Sequence, residues 1–143
     1  MPKTFLKRLF TRDLKLMVDY NIDPHVVDIL NKLGAVKAKT IIAYGFKQNE
    51  EDRVLVYKGT NKNRCVLLTG DKRTINEAEY PPCGHGGIIV IKERRPPKEK
   101  VAACIKAFCQ SGHRSKASHN VIHLWEDRAI IHKHDFKKEE VTF

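Results

Sequence analysis

The sequence predicts an α/β domain: a mostly parallel sheet with helices on both faces, closed by a hairpin. Three observations carry this expectation. Short apolar runs alternate with segments of helical period in the order β-α-β-α-β-α-β-α, an order that calls for parallel strands joined by crossover helices. Two of the runs lead into an acid, Leu16-Met17-Val18-Asp19 and Val66-Leu67-Leu68-Thr69-Gly70-Asp71. Near the C-terminus, two apolar runs flank Glu126-Asp127-Arg128, which reads as an antiparallel hairpin at one sheet edge.

Residues 14–19 form the first strand. Asp23-Pro24 then offers an N-cap and a proline at the first helical position. Val26, Val27, Leu30 and Leu33 give that helix one apolar face, and Gly34 gives it a stop. Thr40-Ile41-Ile42-Ala43-Tyr44 is the second strand, ended by Gly45. Asn49 caps a helix whose first turn holds Glu50, Glu51 and Asp52 and which runs through Val54 and Leu55 to Gly59. Cys65 to Thr69 is the third strand, Pro81-Pro82 marks a loop, and Gly87 to Ile91 is the fourth strand. Pro96-Pro97 opens the last helix, with Val101, Cys104, Ile105 and Phe108 facing inward, and it ends near Gly112. The hairpin strands are 121–125 and 129–132, and alternation puts His123 and His132 on their solvent face.

Length and composition narrow the function. A chain of 143 residues is one domain with room for a real core, here expected over residues 14–143 behind a basic arm of residues 1–13. Hydrophobic content of 41% and charged content of 31% describe a globular chain and exclude a disordered one. No apolar run approaches the roughly 20 residues that cross a bilayer. The first ten residues mix Lys3, Lys7 and Arg8 with Phe5, Leu6 and Leu9 and lack the features of a secretory signal, so the expected location is cytoplasmic, with no membrane partner. A net charge of +10, from 27 Lys and Arg against 17 Asp and Glu, draws polyanions, of which nucleic acid is the usual one. The alternative is a basic protein with no polyanionic partner. The four cysteines (Cys65, Cys83, Cys104, Cys109) form no C-x-x-C pair. Cys65 reads as a buried thiol. A zinc site from Cys83, His85 and a later cysteine or His113 is a minor alternative.

The acids carry the chemistry. Parallel strands deliver the residues after their C-terminal ends to one shared edge, where ligands bind in open α/β sheets. Two carboxylates held there at close range need a cation or a proton. A third acid is expected from the helix opening at Asn49, because a helix entered after a strand starts at the same edge. Glu51 precedes Val54 and Leu55 by three and four positions, which puts it above the buried face, with Glu50 and Asp52 leaning outward. The plainer reading of Glu51 is a solvated first-turn carboxylate favoured by the helix dipole. Arg94 and Arg95, in the basic stretch 92–100 after the fourth strand, are the preferred phosphate-backbone contacts, against an ordinary solvated loop.

Leu16-Met17-Val18-Asp19-Tyr20-Asn21 with the amphipathic helix after it resembles the opening of PIN-like ribonuclease domains, in the compact group related to VapC toxins. Val66-Leu67-Leu68-Thr69-Gly70-Asp71-Lys72 resembles that group's strand ending in Thr-x-Asp-Lys-Asp. The acidic helix, the Gly86-to-Ile91 strand and the Trp125-Glu126-Asp127-Arg128 hairpin fall in the same order, so the likeness covers about residues 14–134. It implies a PIN-like three-layer α/β/α domain with a mostly parallel central sheet and a C-terminal β-hairpin. It also implies metal-dependent cutting of RNA with magnesium or manganese, with Asp19, Glu51 and Asp71 as catalytic metal-binding acids. Asn21, Thr69, Lys72, Arg73, Arg94 and Arg95 are the substrate-binding candidates. RNA is the expected partner. A toxin role, an antitoxin protein and a homodimer are further candidates. Tyr20 stands where the group usually has Glu, and Arg73 and Thr74 stand where a second acid often comes next, a loss that weakens metal affinity. The competing expectation is therefore a non-catalytic RNA-binding module on the same fold.

Overall fold

The computed structural model describes residues 13–143, so the rest of the basic arm, residues 1–12, lies outside the described residues. Seven strands form one sheet in the spatial order β2-β1-β3-β4-β5-β6-β7. They are β1 (Leu14–Val18), β2 (Val36–Thr40), β3 (Val66–Gly70), β4 (Ile88–Ile91), β5 (Val121–Leu124), β6 (Arg128–His132) and β7 (Lys138–Thr142). Pairings from β2 through β5 are parallel, and β5–β6 and β6–β7 are antiparallel. Besides short 3-10 turns at Arg114–Ala117 and His134–Phe136, three helices accompany them. These are α1 (Val26–Asn31), α2 (wound as a π-helix over Val54–Gly59 and as an α-helix over Thr60–Asn63) and α3 (Lys98–Gln110). Among the described residues, no helix is long and apolar enough to cross a membrane.

Strand composition reflects burial. β3 and β4, paired on both sides and covered on both faces, are almost continuously apolar. One face of the sheet packs Leu16, Val18, Leu68 and Ile89 against Val26 and Leu30 of α1 and Val101, Ile105 and Phe108 of α3. The other face packs Met17, Leu67 and Val90 against Leu55 and Val56 of α2. Helices thus cover both faces, as the element order requires.

Gly59 sits where α2 crosses β1. A Cβ built there would lie 2.7 Å from the Met17 side-chain terminus. Buried Thr60 donates to Val56 O and accepts from Gly86 N at 2.8 Å, which ties α2 to the loop before β4. Gly87 has φ +127°, and a Cβ there would stand 2.1 Å from Ala117 O, so only glycine fits.

The structure departs from the sequence expectation in α1, whose N-cap is His25 and which starts at Val26 instead of at Pro24 after Asp23, and in three further elements. The second strand is Val36–Thr40; Ile41 to Gly45 turns instead. An edge strand needs one apolar face only, and Val36 and Ala38 supply it while Lys37 and Lys39 face outward. In the apolar run after it, Ile41 is buried and Ile42 is exposed. The expected C-terminal hairpin strands pair antiparallel, but they do not form the edge, because β7 adds outside them. β7, Lys-Glu-Glu-Val-Thr, carries no apolar alternation, since Val141 alone is buried. Ion pairs of Glu139 with Lys116 and Lys133 hold it. Lastly, α2 begins later than expected and extends to Asn63.

Candidate functional site

β1 has β2 on one side and β3 on the other, which makes the β1/β3 boundary the place where strand order reverses. The carboxyl ends of both strands open there, as ligand sites of open α/β sheets do. Asp19 comes directly after β1 and is buried, 4% exposed. Its backbone N–H still bonds Leu68 O at 2.8 Å, so its position is locked to β3. Its Oδ1 accepts from Tyr20 N at 2.7 Å, and its Oδ2 accepts from Thr69 Oγ1 at 2.7 Å and from Lys72 Nζ at 2.7 Å. A buried carboxylate so provided with donors is fixed in one orientation, with an ammonium opposite its charge.

Asn21 braces the two strand ends. Its Oδ1 accepts from Gly70 N at 3.0 Å, and its Nδ2 donates to Gly70 O at 3.4 Å. The space is tight, since a Cβ on Gly70 would meet Asn21 Nδ2 at 3.1 Å.

The helix-start acid at this edge is Asp52. Lys72 Nζ lies 2.7 Å from Asp19 Oδ2 and 3.0 Å from Asp52 Oδ1, so one ammonium joins both carboxylates. Asp52 Oδ2 also accepts from Thr74 Oγ1. Burial works against the Lys72 charge, yet its bonds to Asp19 and Asp52 outweigh that and raise its pKa. The sequence expectation selects Glu51 because it reads Val54 and Leu55 as the buried pair of α2. In the structure Leu55 and Val56 are the fully buried pair, so the residue three and four positions before them is Asp52. Glu51 faces solvent, with its side chain 68% exposed, and pairs with Arg53 at 3.1 Å. A one-residue shift of the buried stripe exchanges the two acids.

Asp71 follows β3, half exposed, and is engaged by Lys92 Nζ at 2.9 Å; among the described residues it does not join Asp19 and Asp52 in a three-ligand group. Among the described residues, Asp19, Glu51 and Asp71 do not form a three-ligand group at metal-bridging distance. Thr69, Asn21 and Lys72 stand around Asp19 as described, whereas Arg73, Arg94 and Arg95 are exposed around the rim. Arg94 and Arg95 come after β4, which runs parallel to β3, and so reach the same edge. Arg95 takes a left-handed conformation, φ +44°.

His85 is buried and structural. Its Nδ1 accepts from Gly87 N at 3.0 Å and its Nε2 reaches Pro81 O at 3.0 Å, so both ring nitrogens are occupied. Cys104 packs with the α1/α3 core, with Cys109 beside it, and Cys83 is exposed, so among the described residues the zinc site considered from Cys83, His85 and a later cysteine or His113 is not assembled. Comparisons with protein families, with curated proteins and with solved structures return no match.

Proposed function

We propose that this chain is a PIN-like, divalent-metal-dependent endoribonuclease whose acidic pair is Asp19 and Asp52, with Asp71 following β3. The observation that carries this reading is the single ammonium held between Asp19 and Asp52 at the strand-end edge. Two carboxylates that already share one cation are an all-oxygen donor set suited to a hard divalent ion. Bound magnesium or manganese would supply charge neutralisation at the scissile phosphate and activation of the attacking water. The chain supplies the rest. Thr69 and the Tyr20 N–H orient the Asp19 carboxylate, and Asn21 fixes the two strand ends against each other. Lys72, displaced from the acids, would meet a phosphate oxygen. Arg73, Arg94 and Arg95 offer backbone phosphate contacts at the rim. A toxin role with an antitoxin partner belongs to the same proposal and rests on the sequence resemblance.

A second reading has its own observation. Lys72 already neutralises the acidic pair, and Asp71 is matched by Lys92, which suits an RNA-binding module that has given up its metal.

The experiment is RNA cleavage by the full chain with added magnesium or manganese and with chelator. Asp19→Asn and Asp52→Asn should reduce cleavage to background while leaving a cooperative melt, and Glu51→Gln should cleave as wild type does. Chelator-resistant cleavage, or equal loss in Glu51→Gln, overturns the assignment. RNA binding without cleavage by wild type selects the second reading.

A further inference from the structure

The connection from β3 to β4, residues 71–87, has no helix and packs on the same face of the sheet as α2, beside it. Buried Ile75 anchors it, and Tyr80 packs edge-on against Tyr57 of α2 at 5.7 Å. Between these points Glu77 turns down onto β5 and β6. His123 on β5 and His132 on β6 share that face of the antiparallel pair, since Val121 is opposite His132 and His123 is opposite Ile130. The two imidazole rings lie 4.7 Å apart, centroid to centroid. Both side chains are largely covered, 15% and 19% exposed, instead of facing solvent as the hairpin alternation suggests.

One atom from each of Glu77, His123 and His132 lies within 4.8 Å of the other two. Glu77 Oε2 stands 2.9 Å from His123 Nε2, and Glu77 Oε1 stands 3.9 Å from His132 Nε2. The first approach lacks hydrogen-bond geometry. Neither Glu77 Oε2 nor His123 Nε2 has a hydrogen-bond partner among the described residues, although both atoms are buried. Such atoms cost stability unless something engages them. A tetrahedral zinc ion with nitrogen and oxygen ligands at about 2.1 Å needs its ligand atoms about 3.4 Å apart. The two Glu77–histidine separations, 2.9 and 3.9 Å and made by different carboxylate oxygens, lie on either side of that value.

We propose that Glu77, His123 and His132 form a binding site for a divalent transition metal, zinc by preference. Two imidazoles and one carboxylate are a borderline donor set that favours zinc over magnesium or calcium. Three protein ligands leave a position on the metal for water. The site is separate from the acidic pair, because its ligands come from the middle of the β3–β4 loop and from the antiparallel end of the sheet. Its consequence is mechanical. The metal would staple to β5 and β6 the loop that begins with Asp71, Lys72 and Arg73.

The test is calorimetric titration of the chelator-stripped full chain with zinc chloride, with a thermal melt at each end point. One equivalent should bind, and the melting temperature should rise by several degrees. His132→Asn and Glu77→Gln should each weaken binding by at least about 10–100-fold, while Asp19→Asn should bind zinc as wild type does. X-ray absorption at the zinc edge of the loaded wild-type chain should show two imidazole ligands, a reading that needs no variant to fold. Failure to bind one equivalent, a shell of oxygen ligands alone, or undiminished affinity in a folded His132→Asn chain overturns the site.

Discussion

Lys72 decides how the acidic edge behaves when its charge is removed. Lys72→Met leaves Asp19 and Asp52 facing each other with no cation, and an uncompensated buried carboxylate is costly. The expected loss is about 1–3 kcal/mol of stability in chelator, read as a lower melting temperature. Magnesium or manganese should recover most of it if the two acids can share a divalent ion. An equal melt in chelator with and without Lys72 would show that the ammonium carries no charge compensation. The buried histidines make a second prediction at this scale. Burial holds His85, His123 and His132 below the ordinary imidazole value of 6.5. His119 faces His85; Glu77, His132 and Lys92 face His123; Glu77 and Lys138 face His132. As pH falls through that value the unfolded chain takes up protons that the folded chain refuses. The stability contributed by the neutral rings is therefore complete above it and is lost progressively below it. Melts between about pH 7.5 and pH 5 should fall in temperature, and His85→Gln should flatten the slope.

Among the elements, the approach to β4 is the least forgiving. Gly87→Ala forces a Cβ onto the Ala117 carbonyl in a conformation that L side chains avoid. It should cost several times more than Gly59→Ala, where the obstacle is the mobile end of Met17. Parallel urea titrations of the two variants check the order, with about 1–3 kcal/mol expected for Gly59→Ala. This contrast also marks what the sequence can say. Strands buried on both faces announce themselves as apolar runs, and so does the inner stripe of α3. β2 and β7 do not, because an edge strand is held by one neighbour and a few contacts, and charged residues serve its open side. Thr40 to Tyr44 looks more like a strand than Val36–Thr40 wherever apolar content is weighed above alternation. The acidic site is half legible. Asp19, Thr69, Asn21 and Lys72 are placed by their strand ends, whereas Asp52 is lost to Glu51 because Val54, Leu55 and Val56 offer two possible buried pairs. The Glu77–His123–His132 cluster has no signal in spacing, since its members come from a loop and two strands.

For the whole molecule, the excess of positive charge sets the expected response to salt. With a net charge of +10, RNA binding should weaken steeply as salt rises, because phosphate contacts release condensed counterions. Arg94→Ala with Arg95→Ala should lower both the affinity and the slope of log K against log salt, by about one unit of slope per lost contact. A slope unchanged in the double variant would move the contact surface elsewhere. The strand order has a different consequence, in time. β1 lies between β2 and β3, and its partners Val36 and Val66 come progressively later in the chain. At a synthesis rate of about 5–20 residues per second, the apolar stretch Leu16-Met17-Val18 waits on the order of seconds with an open edge before β3 emerges. The meander β5-β6-β7, by contrast, closes through short local turns. A nascent chain of this topology is expected to be most exposed to aggregation while its N-terminal half stands alone, since the pairing of β1 with β3 is the non-local step and the last strands close locally.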